Sequence, residues 1–236
     1  MILIANFEAD GTEASHGIEQ GENQGKVTVY DVESWEQLGE DIWGDKPKDN
    51  FGSFMAFGGK NGKRLAIAAY TGEIGETSYA RIYDWENESW NQIHEEPVDE
   101  KKDENLPKLT VSFSKNGKIF ALGSSGIDGT DYVLIKKYQR NPETGKREWT
   151  QRGQALDGFG KSISLSNNGK KIAVAEEGYV RIFQYKNKFN HWNSISDRIQ
   201  GAENTSSGEF DMISLSGDGK TVAIGRNTSA KILKYE

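Results

Sequence analysis

Apolar residues along this chain fall in short runs of four to six, separated by glycine-containing turns, and no segment holds a helical interval over three turns. The clearest example is Phe159–Tyr185, FGKSISLSNNGKKIAVAEEGYVRIFQY, which predicts three short strands joined by tight turns. Diverged copies recur along the chain. A first strand type, a, appears at Gly52–Phe57, Leu109–Phe113, Lys161–Leu165 and Asp211–Leu215. Each is followed by a turn: Lys60-Asn61-Gly62-Lys63, Lys115-Asn116-Gly117-Lys118, Asn167-Asn168-Gly169-Lys170 and Gly217-Asp218-Gly219-Lys220. Asn-Gly or Asp-Gly between apolar runs predicts a type I′ hairpin turn, with positive φ at both central residues. The turn glycines at 62, 117, 169 and 219 set a period of about 50 to 55 residues.

Strand b follows at Ile2–Ala5, Leu65–Ala68, Phe120–Gly123, Ile172–Ala175 and Val222–Gly225; its near-continuous apolar run with interspersed Ala and Gly predicts burial on both faces. Strand c follows at Lys26–Asp31, Ala80–Trp85, Val133–Tyr138, Val180–Tyr185 and Ala230–Tyr235, with Val29, Ile82, Ile135, Ile182 and Ile232 aligned. Strand d is opened by Trp35, Trp90, Trp149 and Trp192. A four-stranded sheet cannot bury both faces alone, but copies stacked around an axis can, so the repeat predicts an all-β fold, a β-propeller. The count predicts one domain over 1–236 with five blades of up to four antiparallel strands, at about 1–43, 51–98, 107–156, 159–200 and 209–236. The end blades are incomplete: the first lacks strand a and the last lacks strand d. Either the ring closes with three-stranded end blades or the chain is an excerpt of a longer propeller.

The a-turn-b-c layout, with its Asn-Gly turn and a third strand such as Tyr179-Val180-Arg181-Ile182-Phe183, is similar to WD40-type repeats, although Tyr30-Asp31 and Tyr83-Asp84-Trp85 only echo their Trp-Asp ending. Phe51-Gly52 and Phe159-Gly160, with Leu65-Ala66-Ile67-Ala68-Ala69 and Val222-Ala223-Ile224-Gly225, more closely resemble the FG-GAP repeat of integrin-like propellers. That resemblance implies the fold but not the metal. The family's calcium loop between strands a and b is replaced here by a short turn, which lacks the convergent oxygens calcium needs. It also implies an extracellular or cell-surface setting.

Composition narrows the function. Net charge is −7 and the sequence pI about 5.2, which argues against nucleic acid as partner. There is no cysteine, hence no disulfide, thiolate metal site or cysteine nucleophile. No apolar run approaches the roughly 20 residues of a membrane span. The predicted inner strands are nearly devoid of carboxylates, and no G-x-S-x-G elbow occurs. No catalytic residues, cofactor or metal are therefore expected.

The expected function is a non-catalytic module presenting a loop face to a protein or glycan partner, with docking through the incomplete end blades as a further possibility. The b–c and d–a loops share one face in this strand order. The acidic insertion Asn6–Gly25, with His16, lies there. Residues just past strand b differ in every repeat while the strand itself recurs. The candidate ligand-binding set is Asn6, His16, Trp43, Tyr70, Ser124, Asp131, Glu176 and Arg226. The repeated tryptophans are expected to pack between sheets; Trp43 breaks their spacing and is the better binding candidate.

Overall fold

A computed structural model of the chain describes residues 1–6, 24–71, 76–100, 108–125, 131–157, 160–176, 179–200, 212–226 and 229–234. It divides into two compact units, Met1–Phe57 with Gly62–Leu109, and Gly58–Asn61 with Thr110–Glu236. The fold is an all-β propeller with 3% helix.

The first unit carries two antiparallel sheets. One is ordered β1 (Ile2–Asn6), β2 (Lys26–Tyr30), β3 (Ile42–Trp43); the other is ordered β4 (Phe54–Gly58), β5 (Arg64–Ala69), β6 (Thr77–Glu86), β7 (Ser89–Glu100). The second unit carries three. The first of these runs β8 (Lys108–Phe113), β9 (Ile119–Ser125), β10 (Tyr132–Arg140), β11 (Arg147–Gln151), with β12 (Leu156–Asp157) also on β10. The next runs β13 (Ile163–Leu165), β14 (Lys171–Glu176), β15 (Tyr179–Lys186), β16 (His191–Ser194), with β17 (Ile199–Gln200) also on β15. The last is β18 (Met212–Leu215), β19 (Thr221–Arg226), β20 (Ser229–Lys234). In the last four sheets, strands a to d of the repeat thus map onto neighbouring strands in order; in the first, the strand d expected at Trp35 is reduced to the single bridge Tyr30–Gln37.

The expected five blades are corrected to four. Sheets and blades do not count alike, because only three sheets hold the whole a-to-d set. The sheets at the two chain ends have three strands each, so neither is a whole blade.

Strand b is the core element, as its composition requires. Leu65, Ala66, Ile67, Ala68 and Ala69 are buried, and so are Ile172, Ala173, Val174 and Ala175. The small residues let sheets stack closely: in the second unit Ala173, Ala175, Val180 and Ile182 pack on Ile213, Leu215, Val222 and Ile224 of the next sheet. Polar residues on strand a add direction to this stacking. Ser112 Oγ accepts the Leu165 N–H at 3.0 Å, Ser162 Oγ the Ile213 N–H at 3.0 Å, and Ser164 Oγ the Leu215 N–H at 2.9 Å. One hydroxyl at the first of these crossings and two at the second each satisfy a backbone donor of the neighbouring sheet, which burial would otherwise leave costly.

The turns after strand a differ from the type I′ expectation in three of four copies. Gly117, Gly169 and Gly219 have φ between 61 and 69°, whereas Asn116, Asn168 and Asp218 are not at positive φ. Gly117, Gly169 and Gly219 each donate their N–H to Ser114, Ser166 and Ser216 O at 2.8 Å, closing a turn with a single left-handed residue. The Asn or Asp side chain caps the turn instead of twisting it: Lys118, Lys170 and Lys220 donate their N–H groups to Asn116, Asn168 and Asp218 Oδ1 at 3.0, 2.8 and 2.9 Å. Only Asn61-Gly62 has both residues at positive φ, 57 and 72°.

Candidate functional site

A dense polar cluster surrounds residues 44–53, the d–a connection between β3 and β4 in the first unit. Its backbone is clamped from within. Phe51 is fully buried, and Gly25 and Gly44 leave room for it: a Cβ on Gly25 would lie 2.3 Å from Phe51 O, and one on Gly44 2.9 Å from Phe51 Cβ. Buried Gln24 donates its Nε2–H to Gly44 O at 2.7 Å, and its own carbonyl accepts the Phe51 N–H at 3.3 Å. Asn50 donates its side-chain amide to Lys48 O at 2.9 Å and to Tyr70 O at 3.1 Å. Lys48 and Asn50 sit at φ of 63 and 46°, a left-handed conformation that costs a lysine energy and persists only where the surroundings fix it.

Asp49 is the centre of the clamp. It is 1% exposed, and its Oδ2 accepts the Asp45 N–H at 2.9 Å, the Lys46 N–H at 3.2 Å and the Tyr79 hydroxyl at 2.7 Å. Its Oδ1 has no hydrogen-bond partner. Burial raises its carboxyl above the ordinary 3.8; those three bonds oppose the rise without cancelling it. Arg81 stands beside it on β6, its guanidinium 4.4 Å from the Tyr79 ring centroid. Arg81 donates to both carboxylate oxygens of Asp45 and, through Nε, to Glu95 Oε2 at 2.7 Å. Burial disfavours the Arg81 charge, but Asp45 and Glu95 outweigh it and push its pKa up, while Asp45 is held low chiefly by its hydrogen bonds from Arg81. Lys46 pairs with Glu76. The floor of the loop is thus buried and ordered, while Asp45 and Lys48 are turned to solvent.

The sign of the Asp49 shift gives a prediction. A carboxyl whose folded pKa is raised contributes stability that is complete below 3.8 and is lost as pH rises through the folded value. Asp49→Asn, which cannot ionise, is therefore expected to gain on the native chain in melting temperature as pH rises from 3 towards 7. A gap independent of pH would overturn this assignment.

Of the candidate residues, Trp43 and Tyr70 flank this loop. Trp43 is half-buried on β3, opposite Lys26, whose Nζ lies 5.2 Å from the indole centroid and pairs with Asp41 at 2.7 Å. Thr28 also donates to Asp41, at 2.7 Å. Burial raises the Asp41 carboxyl, but Lys26, Thr28 and Gln37 together hold it below the ordinary range. Asn6, at the end of β1, is the register partner of Lys26, so Asn6, Lys26 and Trp43 form one row across the first sheet. Ser124 and Asp131 lie in the second unit, both buried, with Ser124 opposite Tyr132. Glu176 ends β14 opposite Tyr179, and Arg226 ends β19 opposite Ser229. His16 and the rest of the acidic insertion lie outside the described residues. Asp45, Asp49, Tyr79 and Arg81 were not among the candidates. Their sequence signal is Arg81 itself, a charge inside the otherwise apolar run Tyr79–Tyr83. Among the described residues no group of three or more His, Cys, Asp or Glu could hold a metal.

Three of the repeated tryptophans pack as expected. Trp90, Trp149 and Trp192 are buried, and Trp90 and Trp192 donate their indole N–H to Leu38 O at 3.1 Å and Arg152 O at 2.8 Å. Each acceptor precedes a glycine of a W-x-Q-x-G run, 35–39 and 149–153. A Cβ on Gly39 would sit 2.9 Å from Trp85 Cζ3, and one on Gly153 2.7 Å from Trp192 Cδ1. Gln37 and Gln151 donate to Gly39 O at 3.0 Å and Gly153 O at 3.1 Å. Trp35 departs from this pattern: it is 66% exposed with φ of 60°. The first c–d hairpin is shorter, turning at Asp31–Glu36, where the third sheet turns at Asn141–Lys146. Trp35 consequently takes the turn position that Gly145 fills there, at φ 69°.

No family model matches the chain, and no curated protein matches it. Solved structures do. Hydrazine synthase from Kuenenia stuttgartiensis matches with a TM-score of 0.57 at 13% identity, covering 89% of this chain and 64% of that one. The β-propeller domain of Cps50 (Swd1) from Myceliophteria thermophila matches with 0.56 at 10% identity, covering 90% and 64%. Sqt1 from Chaetomium thermophilum, bound to the N-terminus of the ribosomal protein L10, matches with 0.52 at 17% identity, covering 79% and 46%. The chain thus spans 46 to 64% of the length of these solved chains. At these identities the likeness shows the fold, a β-propeller with WD40-like neighbours.

Proposed function

We propose that this protein is a non-catalytic interaction propeller that holds a protein partner on the surface formed by Trp43, residues 44–53 and Tyr70. The observation that carries the reading is the contrast within one loop. Asp49, Phe51 and Gln24 fix its backbone from a buried side, while Asp45 and Lys48 face solvent beside a half-buried indole. A rigid loop with an aromatic anchor and exposed charges loses little entropy on binding, and aromatic residues are enriched where interfaces concentrate their energy. A propeller of similar fold, Sqt1, is seen with a protein segment bound, which supports a protein partner. The Phe-Gly pairs at 51–52 and 159–160 support an FG-GAP-type origin of the repeat. A glycan partner is the second reading, favoured by half-buried Trp43 and exposed Trp35, since the indoles of Trp90, Trp149 and Trp192 are buried and not open to a sugar ring.

The test uses a photo-crosslinking amino acid at Lys48 and, as control, at Phe189, an exposed aromatic in the second unit. Protein adducts from the protein's own cells are expected at Lys48 and not at Phe189. Trp43→Ala with Asp45→Lys is expected to reduce them at least tenfold. Absence of adducts at Lys48, with binding on a glycan array that Trp43→Ala abolishes, would replace the protein reading by the glycan one.

A further inference from the structure

The a–b turns of the third, fourth and fifth sheets are bonded side by side at one end of the second unit. Lys115 donates its N–H to Asn167 O at 3.0 Å, and Asn167 donates its own to Gly217 O at 2.8 Å. Lys115, Lys118, Lys170 and Lys220 are exposed along this row. Its one carboxylate, Asp218, accepts the Ser216 hydroxyl at 2.6 Å and the Lys220 N–H at 2.9 Å. The c–d hairpins are tied to the same end: Tyr138 and Tyr185 donate their N–H groups to Lys118 O and Lys170 O, both at 2.8 Å.

The fourth sheet's hairpin, Tyr185–Trp192, adds exposed Lys186 and Lys188 and contains no carboxylate. Phe189 at its tip is 69% exposed, with Lys188 Nζ 5.4 Å from the ring centroid. Asn190, at φ 47°, fixes the tip: its Oδ1 accepts the Tyr185 hydroxyl at 2.6 Å and the Gly153 N–H at 3.1 Å. Arg152 is buried beneath, donating to Gly169 O at 2.6 Å, its guanidinium 4.0 Å from the Tyr185 ring centroid. No carboxylate among the described residues pairs with it, and burial pushes its pKa down. The third sheet's hairpin brings Arg140, Lys146 and Arg147 against Glu143 and Glu148, so this end of the unit stays positive.

We propose that this end of the second unit docks on an anionic bilayer surface, with Phe189 entering the headgroup boundary and the lysines facing acidic headgroups. An exposed apolar side chain ringed by cations is what an interfacial contact requires. Charges act over only about 8 Å at physiological ionic strength, so the net charge of −7 on the whole chain does not decide what this end meets. Lysine meets a headgroup layer as a point charge, whereas nucleic-acid surfaces draw on arginine forks and several stacking aromatics. The three turns and the Tyr185–Trp192 hairpin expose lysines, no arginine and one phenylalanine. The surface is separate from residues 44–53 and stands or falls without the reading given to that loop.

The chain has no cysteine, so Phe189→Cys places a single environment-sensitive fluorophore at the tip, and Asp157→Cys places one at the opposite end of the third sheet, beside Tyr132. With vesicles of phosphatidylcholine containing about 30% phosphatidylserine, the probe at 189 is expected to brighten at least twofold and the probe at 157 to stay unchanged. Phosphatidylcholine alone is expected to leave both unchanged. In co-sedimentation of the otherwise native chain, Lys118→Glu with Lys170→Glu and Lys220→Glu is expected to reduce vesicle partition at least tenfold, and Phe189→Ala at least threefold. Both variants should keep the native melting temperature, because the altered side chains are exposed. No response to either vesicle, or an equal response to both, would overturn the proposal. A response at 157 and not at 189 would overturn the docking end, and binding of a uridine oligonucleotide without vesicle binding would give the surface to nucleic acid.

Discussion

Trp192→Ala is expected to cost about 3–5 kcal/mol of unfolding free energy, the largest single loss from any of the repeated aromatics. Trp192 is 1% exposed and packs among Ile172, Val174, Phe183 and Leu156. Its truncation removes that packing, the indole bond to Arg152 O, and the ring contacts with Tyr185 at 5.2 Å and the Arg152 guanidinium at 5.7 Å. Gly153 is shaped to the indole, so nothing nearby can close the cavity without backbone movement. Trp192→Phe keeps most of the volume and loses the N–H donor, and about 1–2 kcal/mol is expected. Trp35→Ala is the matched control: it holds the same place in the sequence repeat but stands in water, and its loss is expected within about 0.5 kcal/mol. Guanidinium unfolding midpoints for the three variants check this. Equal losses at Trp35 and Trp192 would mean that repeat position, and not burial, sets the energy.

That pair also shows how far the sequence could be read. Strands a to d were legible because burial imposes a local pattern: Leu65-Ala66-Ile67-Ala68 needs neither partner nor ligand to declare a two-sided core strand. The Trp35 misassignment is a register error. Tryptophan spacing was matched without seeing that the Asp31 turn shortens its hairpin, which moved a packing residue into a turn. The type I′ expectation failed for a related reason. Asn-Gly suits that turn, but the hydroxyl oxygens of Ser114, Ser166 and Ser216 accept the N–H of Ile119, Lys171 and Thr221 at 2.9 to 3.0 Å, which favours a longer, capped turn. Among site residues, Trp43 was found because it interrupts the repeat. Asp49 and Tyr79 were not, because their hydrogen bond joins residues thirty positions apart, one in the 44–53 connection and one on β6. No local pattern encodes such a pair; only the charge of Arg81 within an apolar strand hints at it.

Gly160→Ala is expected to lower stability by about 3 kcal/mol, through overpacking and not through backbone strain. Gly160 is not at positive φ. A Cβ there would lie 2.6 Å from Ser124 N and 2.7 Å from Gly123 Cα, atoms of the neighbouring sheet's backbone that no rotamer change can move. The contact is reciprocal, since a Cβ on Gly123 would lie 2.5 Å from Gly160 O and 2.7 Å from Thr110 Oγ1. Thr110 donates its hydroxyl to Gly160 O at 2.8 Å, so the larger side chain would break a buried hydrogen bond as it separated the strands. Gly145→Ala is the comparison: its Cβ would meet only the Arg140 side chain, at 3.4 Å, and its φ of 69° alone should cost about 1 kcal/mol. Faster amide exchange at Ser124 in Gly160→Ala, but not in Gly145→Ala, would locate the damage at the sheet contact. A Gly160 loss no greater than the Gly145 loss would sink the close-approach account. The glycine of the second Phe-Gly pair is therefore explained by how closely two sheets approach, a requirement of stacking that holds whether or not a repeat binds a metal. Sharing that dipeptide with integrin-like repeats is thus evidence about packing and says nothing about the ligand.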